Sequence, residues 1–171
     1  MLKKLKFYKS ILIITIVFVS HSACAKTKSL GSHNSWKAYS SVIDKIRTCF
    51  IASEPEISKG KYKKNNRGKT YIFVTIIKGS TQHEVSVVAG YKFKKDSDVF
   101  FSIDKQKTKM FAVDDRAWTE STKTDKLIVK AMKRGKKLVV TGTSSPGNLI
   151  KDTYSLIGFT KALSIIDKTC S

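Results

Sequence analysis

Short segments rich in β-branched and aromatic residues recur along this chain, and this pattern limits the fold more than any other feature. Tyr71–Ile77 is a continuous run of such residues, which is typical of a central strand. Residues 84–93 alternate between apolar and polar, which predicts a strand with one buried face. Further strands are predicted at 36–41, 47–53, 99–103, 109–113, 138–141 and 152–157. Successive strands with short turns predict an antiparallel sheet, either a sandwich or a single curled sheet.

Two short helices interrupt the predicted strands. The first begins at residues 122–125, which resemble a capping box with Asp in place of Glu or Gln, and it ends at Gly135. Its apolar stripe is Leu127, Ile128, Ala131 and Met132. The second helix closes the chain, with an apolar stripe at Phe159, Ala162, Leu163 and Ile166. The predicted class is therefore mainly β (α+β).

Residues 1–25 have the three parts of a secretory signal peptide. Lysines without an acid precede an apolar run at 11–19, and Ala23-Cys24-Ala25 places small residues where a signal peptidase cleaves. The run is about nine residues long, whereas a helix that crosses a bilayer core of roughly 30 Å needs about 20. We therefore predict cleavage after Ala25 and export from the cytoplasm. An uncleaved anchor and a lipoprotein acylated at Cys24 are the alternatives.

The rest of the chain contains no linker or internal repeat that would divide it. Residues 26–35 are predicted to be a loose polar leader, and residues 36–171 a single β-rich domain. Removal of the signal leaves Cys49 and Cys170, and two cysteines of an exported protein usually form a disulfide. The bond would close a loop of about 120 residues. Two buried free thiols are the alternative.

The chain is strongly basic, with 33 Lys and Arg, 13 Asp and Glu and a net charge of +20. Such a charge favours anionic partners. All but four of the basic residues are lysines, whereas nucleic-acid readers rely on Arg for bidentate contacts, so the composition argues against nucleic acid. A lysine-rich composition can also reflect an AT-rich genome, and this explanation carries equal weight.

The positive charge is densest in residues 59–69, which we call the basic segment. Its glycines and asparagines predict a mobile turn. Crowded like charges gain little for folding but attract a polyanion, so we interpret the segment as a candidate site for acidic lipid headgroups or lipopolysaccharide phosphates. A solvated loop that binds nothing is the alternative. Its cations are Lys59, Lys61, Lys63, Lys64, Arg67 and Lys69.

No catalytic or metal-binding set of residues is recognisable in the sequence. His33 and His83 stand apart from any nucleophile, and the histidines and cysteines do not supply the ligands of a zinc site. Asp114 and Asp115 form an adjacent acidic pair, but in a strand their side chains would point to opposite faces. The acids expected to cap helices or close turns are Asp104, Asp125 and Asp152. We therefore predict no enzyme activity, no cofactor and no metal.

The carboxyl-terminal half of the chain resembles a known family, most specifically over residues 131–170, and Trp36, Cys49 and Pro55 fit the amino-terminal half of that family more loosely. Its characteristic residues are Trp118, Gly135, Asp152, Tyr154, Leu156, Gly158 and Phe159. With these residues the chain resembles the invasion-associated locus B proteins of alphaproteobacteria. The resemblance implies an exported, mostly β protein that lies in the periplasm or at the outer membrane and has no established catalytic residues. The family is named for a factor that helps a pathogen enter host red cells. The basic segment is not a signature of that family.

Three functions remain to be weighed. The first is a non-enzymatic protein of the cell envelope that aids host-cell interaction or binds envelope polyanions. Its partner could equally be a protein of the envelope or of the host. The second is a periplasmic folding helper or inhibitor that binds client proteins at a sheet edge. The third is a hydrolase with an unrecognised site, and the missing His-centred arrangement argues against it. A flat lysine-rich face would favour the first function, and a hydrophobic groove or open edge strand the second.

Overall fold

The computed structural model describes residues 27–171, so the predicted signal peptide lies outside the described residues. Eleven strands and two helices make up this part of the chain. The strands are β1 (Lys28–His33), β2 (Trp36–Ile43), β3 (Ile46–Ser53), β4 (Ile57–Gly60), β5 (Tyr71–Ile77), β6 (Glu84–Val88), β7 (Val99–Ile103), β8 (Gln106–Val113), β9 (Arg116–Trp118), β10 (Lys137–Thr143) and β11 (Leu149–Ser155). The helices are α1 (Thr122–Arg134) and α2 (Phe159–Cys170), and a short 3-10 helix spans Lys64–Asn66.

These strands form one continuous antiparallel sheet in the order β1-β2-β3-β5-β6-β9-β8-β7-β10-β11-β4. Strand β8 joins its two halves, because residues 106–110 pair with β7 and residues 111–113 pair with β9. Strands β1 and β4 lie at opposite ends, so the sheet is open. The predicted antiparallel sheet with two helices, one of them closing the carboxyl terminus, is confirmed. It takes the form of a single sheet.

The core is one apolar cluster that joins residues of both sheet halves to both helices. Helix α2 lies against β1, β2, β3 and β5. Every position of its predicted stripe is buried, at Phe159, Ala162, Leu163 and Ile166. Trp36 on β2 meets the Phe159 ring at a centroid distance of 5.0 Å, and its indole N–H donates to the Ser155 carbonyl at 2.9 Å. Trp36 is therefore a core residue whose polar atom is satisfied.

Helix α1 forms as predicted, with a different start and a different buried face. Its N-cap is Ser121, just before the predicted box, and the Ser121 hydroxyl accepts the N–H of Thr124 at 3.2 Å. Asp125 instead accepts the N–H of Val85 at 2.9 Å, which fastens α1 to β6. Leu127 of the predicted stripe is 51% exposed. The buried residues of α1 are Asp125, Ile128, Val129 and Met132.

Four hairpins have two-residue turns that begin with Asn or Asp. Asn34, Asp44, Asp104 and Asp114 have φ values between 49° and 52°, in the left-handed region that Asn and Asp tolerate better than most residues. Asp104 therefore closes a turn, as predicted. Asp114 and Asp115 lie outside the strands and form the turn between β8 and β9, so the argument from the opposite faces of a strand does not apply to them.

Residues 27–35, the described part of the predicted leader, do not form the loose segment that their polarity predicts. Lys28–His33 form β1, which pairs along β2, and Leu30 packs against the core. Gly31 lies at a shift in the pairing register, and a Cβ there would stand 3.6 Å from Ile165 of α2. Backbone hydrogen bonds to β2 supply the stability that polar side chains do not, which is why the sequence pattern missed this strand.

The predicted disulfide between Cys49 and Cys170 is confirmed, so the alternative of free thiols is wrong. Their Cα atoms lie 6.0 Å apart, and both residues are fully buried. The bond joins β3 to the last residue of α2. The N–H of Gly79 also donates to the Cys170 carbonyl at 2.7 Å. The end of α2 is therefore held both by a covalent bond and by the turn between β5 and β6.

Candidate functional site

The basic segment is more regular than the predicted mobile turn. Lys59 and Gly60 belong to β4, where Lys59 pairs with Lys151 of β11, and Lys64–Asn66 form the 3-10 helix. The prediction of a turn throughout is therefore wrong, because hydrogen bonds to β11 hold the first part of the segment. The side chains of Lys59, Lys61, Lys63 and Lys69 are exposed, whereas the side chain of Lys64 lies outside the described part of the structure.

Arg67 faces inward, unlike these lysines. Its Nη1 donates to Oδ1 of Asp152 at 2.9 Å, and its Nη2 donates to Oδ2 at 2.5 Å. Nε and Nη2 also donate to the Ala89 carbonyl, at 3.0 Å and 2.9 Å. The Arg67 and Asp152 side chains are only 7% and 2% exposed. Arg67 is therefore not available to bind a polyanion, contrary to the prediction, because its charge is buried and already paired with Asp152.

Two tyrosine rings enclose the Arg67 guanidinium. The centroids of Tyr62 and Tyr91 each lie 5.1 Å from its Cζ, within the range of about 6 Å for cation–π contact. Burial lowers the pKa of Arg67, but the hydrogen bond and charge of Asp152 oppose it, and the net shift is upward. Burial, and then the negative charge of Asp152, raise the pKa of Tyr91. Arg67 is therefore charged and Tyr91 neutral at physiological pH.

Asp152 also has a role that differs from the one predicted from the sequence. It neither caps a helix nor closes a turn, but lies in the middle of β11, buried on the same side as Ile150 and Tyr154. The Ser58 hydroxyl also donates to its Oδ1 at 2.6 Å. One sequence feature could have indicated this role. An acid at a buried position of an alternating strand needs a cationic partner, because a lone buried carboxylate is rarely tolerated.

A close pair of glycines brings Arg67 and Tyr91 together. The N–H of Gly68 donates to the Gly90 carbonyl at 2.8 Å. A Cβ on Gly90 would overlap the carbonyl group of Gly68, and Gly90 has a φ of +70°. Glycine is needed at position 90 for both reasons, since only glycine adopts such a φ freely and lets two backbones approach so closely.

Replacing Gly90 with Ala is therefore expected to destabilise the protein more than the matched change Gly79→Ala. Gly79 has a φ of +82° with nothing within 4 Å of its added Cβ, so this control measures backbone strain alone. Strain costs roughly 1–2 kcal/mol in each variant. The overlap at Gly90 should add at least about 1 kcal/mol. Urea unfolding of both variants measures the difference, and equal losses would contradict the close approach of the two backbones.

The basic segment and the strands beside it enclose a pocket of about 420 Å³, which we call the basic pocket. Its lining includes the exposed lysines Lys61 and Lys63, and Asn66 and Asn148 add amide groups. Because Asp152 neutralises Arg67, the positive charge of the pocket comes from its lysines. Ammonium and amide donors around one cavity suit the oxygens of a phosphate group, through charge-assisted hydrogen bonds.

Most of the other residues that carry the family resemblance have structural roles. Gly135 is the C-cap of α1, and Gly158 is the N-cap of α2 with a φ of +91°. Leu156 and Phe159 are buried in the core. Trp118 is half-buried on β9, opposite the exposed Phe111 of β8 and outside the core cluster of the described residues. Among the resemblance residues, Asp152 is the one that reaches the basic pocket through Arg67.

The histidines of the described residues are His33 and His83. His83 Nε2 lies 2.7 Å from Oδ1 of Asp167, which links the start of β6 to α2. His33 ends β1. Residues 27–171 contain no group of three or more His, Cys, Asp or Glu side chains that could hold a metal ion. Over the same range, neither helix is long and apolar enough to cross a membrane.

Comparison with known proteins finds similarity to a family. The model of the family described as invasion associated locus B (IalB) protein matches residues 36–167. The match runs from the start of β2 into α2 and contains the basic pocket with its buried Arg67–Asp152 pair. Neither the curated proteins nor the solved structures provide a match.

Proposed function

Because this chain belongs to the invasion associated locus B family, we propose that it is an exported, non-enzymatic protein of the cell envelope, in the periplasm or at the outer membrane, that binds phosphate-bearing polyanions at its basic pocket. Acidic lipid headgroups and lipopolysaccharide phosphates are the ligands with this chemistry in an envelope. The family description extends the proposal to host-cell interaction, since host surfaces present anionic groups of the same kind.

One observation carries the proposal. Of the cations at the basic pocket, Arg67 is paired with a carboxylate, whereas the two lysines are available to a ligand. Arg67 is neutralised by Asp152, whereas Lys61 and Lys63 form no ion pair with any residue of the described part of the chain. These ammonium groups lie at one cavity and remain available for an anion. Binding a phosphate there relieves the repulsion between them, so the attraction is local as well as a property of the net charge.

Two features support export. Residues 1–25 have the pattern of a cleavable signal peptide. The Cys49–Cys170 bond belongs to an oxidising compartment, because cytosolic thiols are normally kept reduced.

The absence of enzyme activity is also part of the proposal. Invasion associated locus B is not a known enzyme family. In the part of the chain that the structure describes, His83 is engaged by Asp167, while Asp114 and Asp115 occupy a turn. This arrangement supports a binding role, since a general base must lie within hydrogen-bond reach of the group that it activates.

The open sheet favours a second candidate, a folding helper or inhibitor that binds clients at an edge. The edge strand β4 carries the exposed Ile57. However, β4 is only four residues long, and the other edge, β1, has a register shift at Gly31. Short or irregular edge strands are features that prevent strand addition, so these edges weigh against this candidate.

The double change Lys61→Gln/Lys63→Gln is expected to weaken binding to phosphatidylglycerol vesicles by roughly 30-fold, since each lysine near an anionic surface contributes about 1 kcal/mol. Vesicle co-sedimentation of the exported protein over a salt series measures this loss, with phosphatidylcholine vesicles as the neutral reference. A parallel series with lipopolysaccharide, intact and dephosphorylated, shows which source of phosphate binds more tightly.

The matched control is Lys130→Gln/Lys133→Gln, which removes two exposed lysines of α1 and changes the net charge equally. We expect this variant to lose little affinity. If both pairs of changes weaken binding to the same extent, net charge alone attracts the vesicles and the basic pocket is not the site.

A further inference from the structure

Aromatic side chains form a row on the outward face of β2, β3 and β5. Tyr39 and Phe50 stack with ring centroids 5.2 Å apart. Phe73 meets Phe50 at 6.0 Å, and Tyr71 lies 5.7 Å from Phe73. Alternate residues of a strand point to opposite faces of the sheet, and the neighbours of these rings are buried on the α2 side. Those buried neighbours are Ala38, Cys49, Ile51, Ile72 and Val74.

The aromatic row lines a groove of about 580 Å³, which we call the aromatic groove. A sheet that is covered on one side normally presents polar residues to water on the other side. Here the outward face instead presents four partly exposed rings contributed by three strands. Clustered apolar surface with a polar border is typical of an interaction site, whereas isolated apolar residues are not.

The border of the aromatic groove includes two carboxylates. Glu54 and Glu56 are exposed just after β3, and neither forms an ion pair within the described part of the chain. The Ser35 hydroxyl donates to Oε1 of Glu56 at 3.3 Å. Glu54 lines the groove together with Tyr71 and Phe73. Burial, and then the hydrogen bond and charge of Glu54, raise the pKa of Tyr71. Lys37 also lines the groove, and its ammonium opposes only part of this negative charge.

We propose that the aromatic groove binds an extended peptide segment of a partner protein in which a lysine or arginine alternates with apolar side chains. The apolar side chains pack on the rings, and the cation binds Glu54 and Glu56. Charge complementarity identifies this occupant, because acidic residues are scarce in a chain of net charge +20 yet two of them border this apolar surface. The groove is separate from the basic pocket and accepts the opposite charge.

The ring geometry favours a peptide over a sugar. Tyr39 and Phe50 are stacked with an interplanar angle of 25°, so each ring uses one face to contact the other. Phe73 packs against Phe50 at 66°. The rings therefore do not form the flat platform on which a sugar ring would stack, but they leave an irregular apolar surface into which short side chains fit.

The experiment uses the protein purified after export and a fluorescein-labelled octapeptide of alternating lysine and leucine. Fluorescence anisotropy at physiological ionic strength measures its affinity, with the matching serine–leucine peptide as reference. The protein as a whole repels a cationic peptide, so binding reports a local site. Glu54→Gln/Glu56→Gln is expected to weaken binding by roughly tenfold, the size of a lost charge-assisted contact. The control Glu84→Gln/Glu120→Gln removes two exposed acids outside the groove and should leave the affinity within about twofold.

Two further variants separate this proposal from its alternatives. Tyr39→Ala removes a half-exposed ring and should also weaken peptide binding, whereas Lys61→Gln/Lys63→Gln should not change it. Unchanged affinity in Glu54→Gln/Glu56→Gln would overturn the proposal, as would equal binding of the serine–leucine peptide. Displacement of the peptide by neutral oligosaccharides would identify a sugar site instead. A dimer in analytical ultracentrifugation that Tyr39→Ala dissociates would show that a second copy covers the groove.

Discussion

Replacing Arg67 with Met is expected to lower the free energy of unfolding by about 3–5 kcal/mol, because it leaves the Asp152 carboxylate buried without its cation. Asp152 is 2% exposed, so water cannot take over from the guanidinium. The Ser58 hydroxyl alone would then donate to it, and two donors to the Ala89 carbonyl would be lost as well. Urea unfolding followed by circular dichroism measures the loss.

Two comparisons show whether the buried charge causes this loss. Lys63→Met removes an exposed cation from the same segment and should change stability by less than about 0.5 kcal/mol. Arg67→Met/Asp152→Asn removes both charges, so the double variant should be more stable than Arg67→Met alone. If Arg67→Met is as stable as Lys63→Met, the pair contributes nothing to folding and our account of the basic pocket is incorrect.

Replacing Cys170 with Ala is expected to lower the free energy of unfolding by about 4–5 kcal/mol, because the disulfide closes a long loop and restricts the unfolded chain. The bonded residues are separated by 121 positions, so the entropic stabilisation by this bond lies near the upper end of the range for disulfides. For a domain of this size the loss corresponds to a fall in melting temperature of roughly 10–20 °C. Differential scanning calorimetry measures it.

Helix α2 should show the effect of this change first. Its last residue is held to β3 by the disulfide, and the hydrogen bond from Gly79 to the Cys170 carbonyl remains in the variant. Hydrogen exchange should therefore accelerate most in the last turn of α2. Cys49→Ala and the double variant should match Cys170→Ala in stability, because each removes the same bond. A double variant much less stable than either single variant would contradict this explanation.

Elements with a regular apolar period were predictable from the sequence. Tyr71–Ile77 is β5 over its full predicted length, and the predicted stripe of α2 is buried throughout. These patterns depend on residues that are close in the chain. The short strand β9, Arg116–Trp118, and the polar strand β1 have no such period, since hydrogen bonds to neighbouring strands define them.

The candidate site was predictable only in part. A concentration of lysines is visible in any sequence, so the exposed Lys61 and Lys63 follow from composition. The inward direction of Arg67 depends on Asp152, which lies 85 residues further along the chain. Its approach also requires the contact between Gly68 and Gly90. Long-range pairs of this kind have no local pattern.

The sequence by itself determined the mainly β class, the two helices and the pair of cysteines available for the disulfide, because periodicity and composition are local properties. Only the tertiary structure decided which cation of the basic segment is buried and which aromatic rings share one surface. Tyr39, Phe50 and Phe73 lie on three different strands and meet because of the pairing register. A shift of one residue would turn a strand's side chains to the other face, so the aromatic groove exists only at the register that packing of the buried face against α2 selects.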